Sequence, residues 1–564
     1  MGETVEVPAV RSTDGLWKRF DRRRSDAMDD WEARKAKYAK WYSLIRADSD
    51  QLSTPYNATV RSKYLHAQIM TFTDFLLAGV IPSWPWVEVE CPEPFRTDPM
   101  VAIESAAREE FNRRLKRLHW YRHLRRWIRT AANYGVGIAK LTGGPDGARV
   151  RIITPDRIAW DPTADMLREG CGYVIERVET LTVGRVKALG DSGVFNKLTR
   201  NMLRAIAQNP LGDTERQKRY AERINAVRDS SDDGDDLPVE IHLMVEPHRV
   251  SAFHWPTESV LQDKPNTLGF INYYDWSTYP EVDEVQGYAI PELIEDIQEE
   301  INTNLAQQID NNSLISNAMA LLSNAAGINP YTIQNRPGGV IPVNDVERDF
   351  KWLFPPPIGQ ALSYERGELY ADGDRLLGVN QHTRGEMGDS GMKATVAQLL
   401  HSNTNVRQKV AMLDAQDYPL RAILNDLAKI EAMDPEPFWI PKEEWAVICP
   451  LVAQGHCELV PQAEAFVGNA LAKIQVLANV LSIALPRLGP VGSGAMLEEI
   501  VKLADMRDPE RVTRDLAMSM QMQQPPNPEM PPTNEGEATQ VQSGQLRAQA
   551  TTAGAPRQPA RATV

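Results

Sequence analysis

The sequence predicts an α+β chain, predominantly helical and divided into more than one domain. Three observations predict it. With 564 residues the chain exceeds what one core accommodates, and its 42% hydrophobic and 24% charged residues are ordinary globular values. Two stretches, Ile290 to Ile309 and Val396 to Ile430, carry apolar residues at spacings of three and four over lengths unusual for a globular helix. Between Gly137 and Trp276 the apolar period falls toward two, with Pro and Gly punctuation, which predicts antiparallel strands.

Taken in order, the chain opens on a polar helical region, Trp17 to Arg46, with Trp31, Tyr38, Trp41 and Tyr42 among many charges. Arg19, Arg22, Arg23 and Arg24 read there as a solvated face or a docking point for nucleic acid or an acidic neighbour. Tyr64, Ile69, Phe72, Phe75 and Leu76 predict a buried helix ending at Gly79. A turn, short strand and turn follow in IPSWPWVEVECPEP, after which Pro99 opens a helix expected to run to Asn133. That helix holds the most basic window of the protein, from Arg108 to Arg129, with Phe111, Leu115, Leu118, Leu124 and Ile128 as its apolar side. The window reads as a packed helix with a charged outer face, or as an interface to an acidic neighbouring subunit. His119 and His123 have the four-residue spacing of two metal ligands on one helix face, but no third ligand lies nearby. GIAKLTGG, ARVRIITP and CGYVIERVETL then read as strands, helical sequence resumes to about Arg228, and SSDDGDD is a solvated linker. Strands return at VEIHLMVEP, VSAFHW and LGFINYYDW.

The stretch from Gly287 to about Ser323 predicts a long helix of about nine turns. Pro291 suits a first turn, and Glu292, Glu295 and Asp296 complement the helix dipole there. Ile290, Leu293, Ile294, Ile297, Ile301, Leu305 and Ile309 form one apolar stripe, roughly 50 Å long at 1.5 Å per residue. Its other faces are neutral amides, including Asn302, Asn304, Gln307, Gln308, Asn311 and Asn312, because no charge intervenes between Asp310 and Arg336. Such a helix is either a long core element or one packed against copies of itself. A small β-rich excursion with the turn Pro337-Gly338-Gly339 follows, ending at Pro355-Pro356-Pro357. A helix from Gly359 to Leu377 returns, then a polar glycine-rich loop to Gly391, then a long helix in which Pro419 predicts a kink near Ala415 to Tyr418. Two more helices are expected in Pro461 to Leu485 and Gly494 to Met520, and the Pro, Gln, Thr and Ala-rich end reads as disordered.

Composition and motifs exclude several function classes. A formal net charge of −14 argues against a protein that wraps DNA. Cys91, Cys171, Cys449 and Cys457 lack CxxC spacing, so neither a disulfide framework nor a zinc ribbon is expected, and a reducing compartment fits. The loop glycines miss the phosphate-loop pattern, because Met392 separates Gly391 from Lys393. No catalytic constellation, cofactor site, metal site or membrane span is expected.

The order of long helix, β excursion, returning helix, polar loop and kinked helix resembles the portal proteins, or head-to-tail connectors, of tailed bacteriophages. GYAIPELIEDIQEEINTNLAQQIDNN resembles that family's first stem helix, RPGGVIPV the start of its clip, and LLGVNQHTRGEMGDSGMKATVAQLL its tunnel loop and flanking helices. TPDRIAWDPTAD with GYVIERV resembles the wing, and NATVRSKYLHAQIMTF the N-terminal part. The resemblance implies a wing region over 1–286, stem helices at 287–326 and 358–379, a clip at 327–357, a tunnel loop at 380–392, a kinked wing helix at 393–432, a crown within 433–520 and a disordered tail at 521–564. It implies a non-enzymatic ring, usually a dodecamer, in the virion at one capsid vertex, of a short-tailed phage by overall likeness. DNA would pass through without sequence readout. Expected partners are the terminase large subunit, head-tail adaptor or tail proteins, and major capsid and scaffold proteins. The residues it assigns to DNA are Asn380, Gln381, His382, Thr383, Arg384 and Lys393; those it assigns to clip docking are Arg336, Pro337, Gly338, Gly339, Asp345, Arg348 and Lys351. The alternatives are a DNA-packaging ATPase or nuclease, whose phosphate loop and metal-carboxylate cluster are missing from the sequence, and a minor capsid protein.

Overall fold

The computed structural model describes residues 13–47, 58, 60–80, 85–92, 98–144, 147–196, 198–199, 202–203, 205–206, 238–317, 319–322, 329, 345, 348, 350–353, 355–379, 406–433 and 442–461. All of them fall in the compact unit Met1–Ala472. The architecture is mixed α and β. Helices α1 (Thr13–Arg46), α2 (Tyr64–Val80), α3 (Asp98–Arg117) and α4 (Trp120–Tyr134) precede the strands β2 (Gly137–Gly144), β3 (Gly147–Ile153), β4 (Ile158–Trp160) and β5 (Val174–Thr182), with β1 (Val87–Glu90) between α2 and α3. A short helix α5 (Val183–Asp191) follows, then β6 (Pro238–Val245), β7 (Arg249–His254), β8 (Ser259–Pro265) and β9 (Tyr273–Trp276).

The alternating stretches become two sheets. One has the order β3-β2-β9 and the other β4-β5-β6-β7-β8, all antiparallel. Buried Lys140 of β2 donates to Glu176 of β5, and the Tyr273 hydroxyl of β9 donates to the same carboxylate at 2.7 Å, so an ionic joint spans the two sheets. Burial opposes the charge on Glu176, but Lys140, Tyr273 and Arg151 outweigh it and hold the carboxyl below its usual range.

Helix α1 lies on the larger sheet. Leu16, Phe20, Ala27 and Trp31 are buried against Ala159, Tyr173, Ile175, Met244 and Phe253. Three residues of its basic cluster are engaged within the fold while Arg22 is exposed: Arg19 and Arg23 both pair with Glu246, and Arg24 lies 3.7 Å from the Trp255 ring centre. The helix expected from Pro99 to Asn133 is two helices, broken at Leu118 and His119, where His119 adopts the left-handed conformation at φ 53°. His119 and His123 therefore do not share a continuous helix face.

Helix α6 spans Ile290–Ser316. It stops short of the expected Ser323 because Met319–Leu322 form β10, paired antiparallel with β11 (Phe350–Leu353). Helix α7 (Gly359–Leu377) then returns, closed by Gly378 at φ 64°. Helix α8 (Val406–Ala415) passes through a π turn, Gln416–Leu420, into α9 (Arg421–Met433). The wide turn surrounds Pro419, whose missing N–H breaks the regular ladder where the sequence predicts a kink. Helix α10 (Glu443–Ala453) and β12 (Glu458–Pro461) complete the described chain.

Strand β12 pairs with β1, placing Cys91 opposite Cys457, and these two cysteines are joined in a disulfide across 366 residues. This corrects the expectation of an all-thiol chain. Local spacing carries no signal for a pair brought together by a nonlocal ladder.

Candidate functional site

The first turn of α6 is fixed by close backbone contact. A Cβ on Gly287 would lie 2.0 Å from Ser277 Oγ and 2.3 Å from Tyr279 O, so the chain enters the helix through a space only glycine fits. Beside it, Gln286 accepts from Tyr38 OH at 2.6 Å and donates to Tyr134 O at 2.6 Å, tying α1 and α4 to the entry point. Lys37 pairs with Glu292, and Lys40 with Glu295 and Glu299, so the acids placed for the helix dipole also hold α1. These pairs are largely exposed and each contributes only about 0–1 kcal/mol.

The amide face has an internal use. Gln298 accepts from Leu65 N at 2.8 Å and donates to Ser62 O at 3.1 Å, while Asn302 accepts from Ser62 N at 2.9 Å. Two α6 amides thus satisfy Leu65 N in the first turn of α2 and the backbone of Ser62 just before it. Farther along, Asn304 donates to Glu365 at 3.0 Å, Gln308 exchanges bonds with Ser363 and Arg366, and Asn311 donates to Pro356 O. The contact positions rise along α6 as they fall along α7, which makes the pair antiparallel. From the other side, Tyr64 OH and Gln68 both donate to Asp374 on α7, and Gly373 admits the Tyr64 ring, since a Cβ there would lie 2.3 Å from its hydroxyl. The N-terminus of α2 is clamped between α6 and α7.

The apolar stripe divides. Ile290, Ile294 and Ile301 are buried, whereas Leu305 and Ile309 are only partly covered. Beyond them the surface is apolar: Leu314 is 50% exposed, Met319 58%, Leu321 52% and, on α7, Tyr364 73%. The helix pair and its β excursion therefore carry apolar side chains that are exposed among the described residues.

A second cluster fixes α9 to the smaller sheet. Asp426, fully buried, accepts from Arg168 Nε at 2.6 Å, Arg168 Nη2 at 3.1 Å and Tyr274 OH at 2.8 Å. Burial and this carboxylate push the Tyr274 hydroxyl well above its usual range, so it remains a donor. The preceding residue of the same loop, Leu167, donates its N–H to Asp275 at 2.8 Å. Burial pushes the Asp275 carboxyl up to about 6.

Of the residues assigned to clip docking, Asp345, Arg348 and Lys351 are exposed, and Lys351 lies on β11 opposite Leu321. Arg336, Pro337, Gly338 and Gly339 lie outside the described residues, as do Asn380, Gln381, His382, Thr383, Arg384 and Lys393. So do the expected crown helices and tail beyond Pro461. Leu377 and Val379, immediately before Asn380, are buried. Sequence reasoning singled out neither Gln286, Gln298 nor the Arg168–Asp426 pair. Gln298 sits among the acids and amides of α6 but has no local motif, and Arg168 and Asp426 are 258 residues apart.

Among the described residues no group of three or more His, Cys, Asp or Glu is placed to hold a metal ion, and no helix is long and apolar enough to cross a membrane. No family model matches the chain, and no curated protein matches it in sequence. Among solved structures, the chain is similar to one from the virion of a native gene transfer agent particle, at 10% identity and a TM-score of 0.34, covering 78% of this chain and 89% of that one. A likeness of that size leaves function to be argued from the residues themselves.

Proposed function

We propose that this chain is the subunit of a portal-type ring at one vertex of a virus capsid, the conduit through which double-stranded DNA is packaged and ejected. The observation that carries the reading is the α6–α7 pair. Two antiparallel helices are zipped by amides on their shared side, enclose a short β excursion, and present Leu314, Met319, Leu321 and Tyr364 outward. Exposed apolar surface of this kind marks a contact with another molecule. In a closed ring of identical subunits, one surface must match a different surface on the neighbour, and a helix pair with two dissimilar faces suits that geometry.

In this reading the β10–β11 excursion, with Asp345, Arg348 and Lys351, docks the terminase large subunit during packaging and head-tail adaptor or tail proteins afterwards. Residues 380–392 form the loop that meets DNA, and capsid and scaffold proteins bind around the ring. The protein sits in the virion and performs no catalytic step. The acidic net charge of −14 suits a conduit, since each phosphate neutralised adds affinity that motion must break.

Electron microscopy of the purified full chain tests the proposal. Rings with a central opening are expected, and a monomer at every salt concentration overturns it. Deleting Gln381 to Ser390 should leave rings intact and impair DNA packaging or retention; loss of rings in that variant would make the segment a subunit contact.

A further inference from the structure

The basic window keeps a surface with few acidic partners among the described residues. On α3, Arg108 pairs with Glu88, Arg113 with Glu109, and buried Arg114 with Glu431. On α4 the pattern changes. Its sequence WYRHLRRWIRTAANY contains no acid, and Trp120, Leu124, Trp127 and Ile128 are buried on one side. Arg122, Arg125 and Arg126 are exposed on the other, beside Tyr121, which is 49% exposed. Arg125 reaches only the exposed Asp74, at 3.5 Å, and Arg122 and Arg126 form no ion pair among the described residues. The field is felt locally: burial, then Arg126, Arg122 and His119, push the His123 imidazole below its usual value.

We infer that the outer face of α4, Tyr121 with Arg122, Arg125 and Arg126, binds the phosphate backbone of nucleic acid without reading sequence. An acidic protein surface is the competing occupant, and the composition of the patch decides between them. Protein–protein interfaces have an apolar centre depleted of charge, whereas nucleic-acid interfaces are far more positive and polar. Here the charges are contiguous and the single aromatic carries a hydroxyl, a group that donates to phosphate oxygens. Arginine forks suit phosphate oxygens, and residues three and four apart sit about 5–6 Å from one another on a helix. The apolar side locked in the core holds this row in place before any ligand arrives. The inference does not rest on the ring, because the patch is present on a single subunit.

The test is binding of a short labelled DNA duplex of mixed sequence to the full chain by fluorescence anisotropy, between roughly 50 and 200 mM salt. The double variant Arg122→Gln/Arg126→Gln should lower the slope of log affinity against log salt by about 1.8, two contacts at ~0.9 each, which is about 60-fold in affinity near 0.1 M salt. Arg113→Gln, which removes an exposed arginine already paired with Glu109, should change neither. Both variants should melt as the parent does. An unchanged slope and affinity in the double variant overturns the inference. So does unchanged DNA binding accompanied by altered self-association, which would assign the patch to contact between copies.

Discussion

Asp275 carries the clearest thermodynamic consequence of the fold. It sits on β9 opposite Ile138, accepts the Leu167 N–H at 2.8 Å, and has Asp165 and Asp414 as charged neighbours. Burial pushes its carboxyl from an ordinary 3.8 up to about 6. In the folded protein the proton is therefore held through a window, about pH 4 to 6, in which the unfolded chain has lost it. Stability must fall as pH rises through that window, and above it the charged group costs up to about 3 kcal/mol, at 1.36 kcal/mol per pH unit. The residue as a whole is of intermediate exposure, so this figure is an upper bound. Asp275→Asn keeps an oxygen for the Leu167 N–H and carries no charge at any pH. It should match the parent near pH 4 and exceed it at pH 7, by about 3 °C in melting temperature for a unit of this size. Differential scanning of both proteins from pH 4 to 8 reads the difference directly. Parallel curves, or a variant less stable at pH 7, would refute the reasoning.

Two other residues give equally direct tests. Gln298→Leu strips partners from Leu65 N and Ser62 O and should cost about 2–4 kcal/mol, with faster amide exchange confined to the start of α2; uniform exchange along α2 would show that the cap is not what holds it. With Cys91 and Cys457 joined, the denatured, unreduced chain should show free thiols at Cys171 and Cys449 alone, and reduction should destabilise the fold by about 2–5 kcal/mol; four free thiols in the native preparation would contradict the pairing.

What was legible in the sequence was local. Pro291 and Glu292 mark the start of α6, and alternation in GIAKLTGG and ARVRIITP marks β2 and β3, because caps and pleats leave signals within a few residues. The end of α6 was not legible, since Met319–Leu322 are drawn into a strand by Phe350–Leu353, a partner far along the chain. His119 misled in the same way. A histidine in an apparently continuous helical pattern gives no warning of a left-handed residue, and Trp127, just past the break, packs on Trp276 of β9, a partner far along the chain. Arg19, Arg23 and Arg24 of α1 read as solvated because Glu246 and Trp255, which pair with and cover them, lie more than two hundred residues away. The residues that join the site are the least visible of all, since Arg168 and Asp426 acquire meaning only when a loop and a helix meet.

The amides of α6 sharpen the argument for a partner. A helix free to choose would bury Leu314 and leave asparagine outside; this one does the reverse, burying Asn302, Asn304 and Asn311 and exposing Leu314. The inward amides are spent on backbone groups of α2 and on α7, where each makes a directional bond that an apolar side chain could not supply. Direction matters at that place because α7 must leave the β excursion antiparallel to α6 and arrive at Tyr64 in register, with Gly373 under the ring. The outward apolar residues are then the part of the pair not needed for its own geometry. Each is worth burying at about 25 cal/mol per Å², a gain the described residues of this chain do not supply. A helix pair joined by polar bonds and left apolar outside suits packing from without, which the neighbours in the proposed ring would supply.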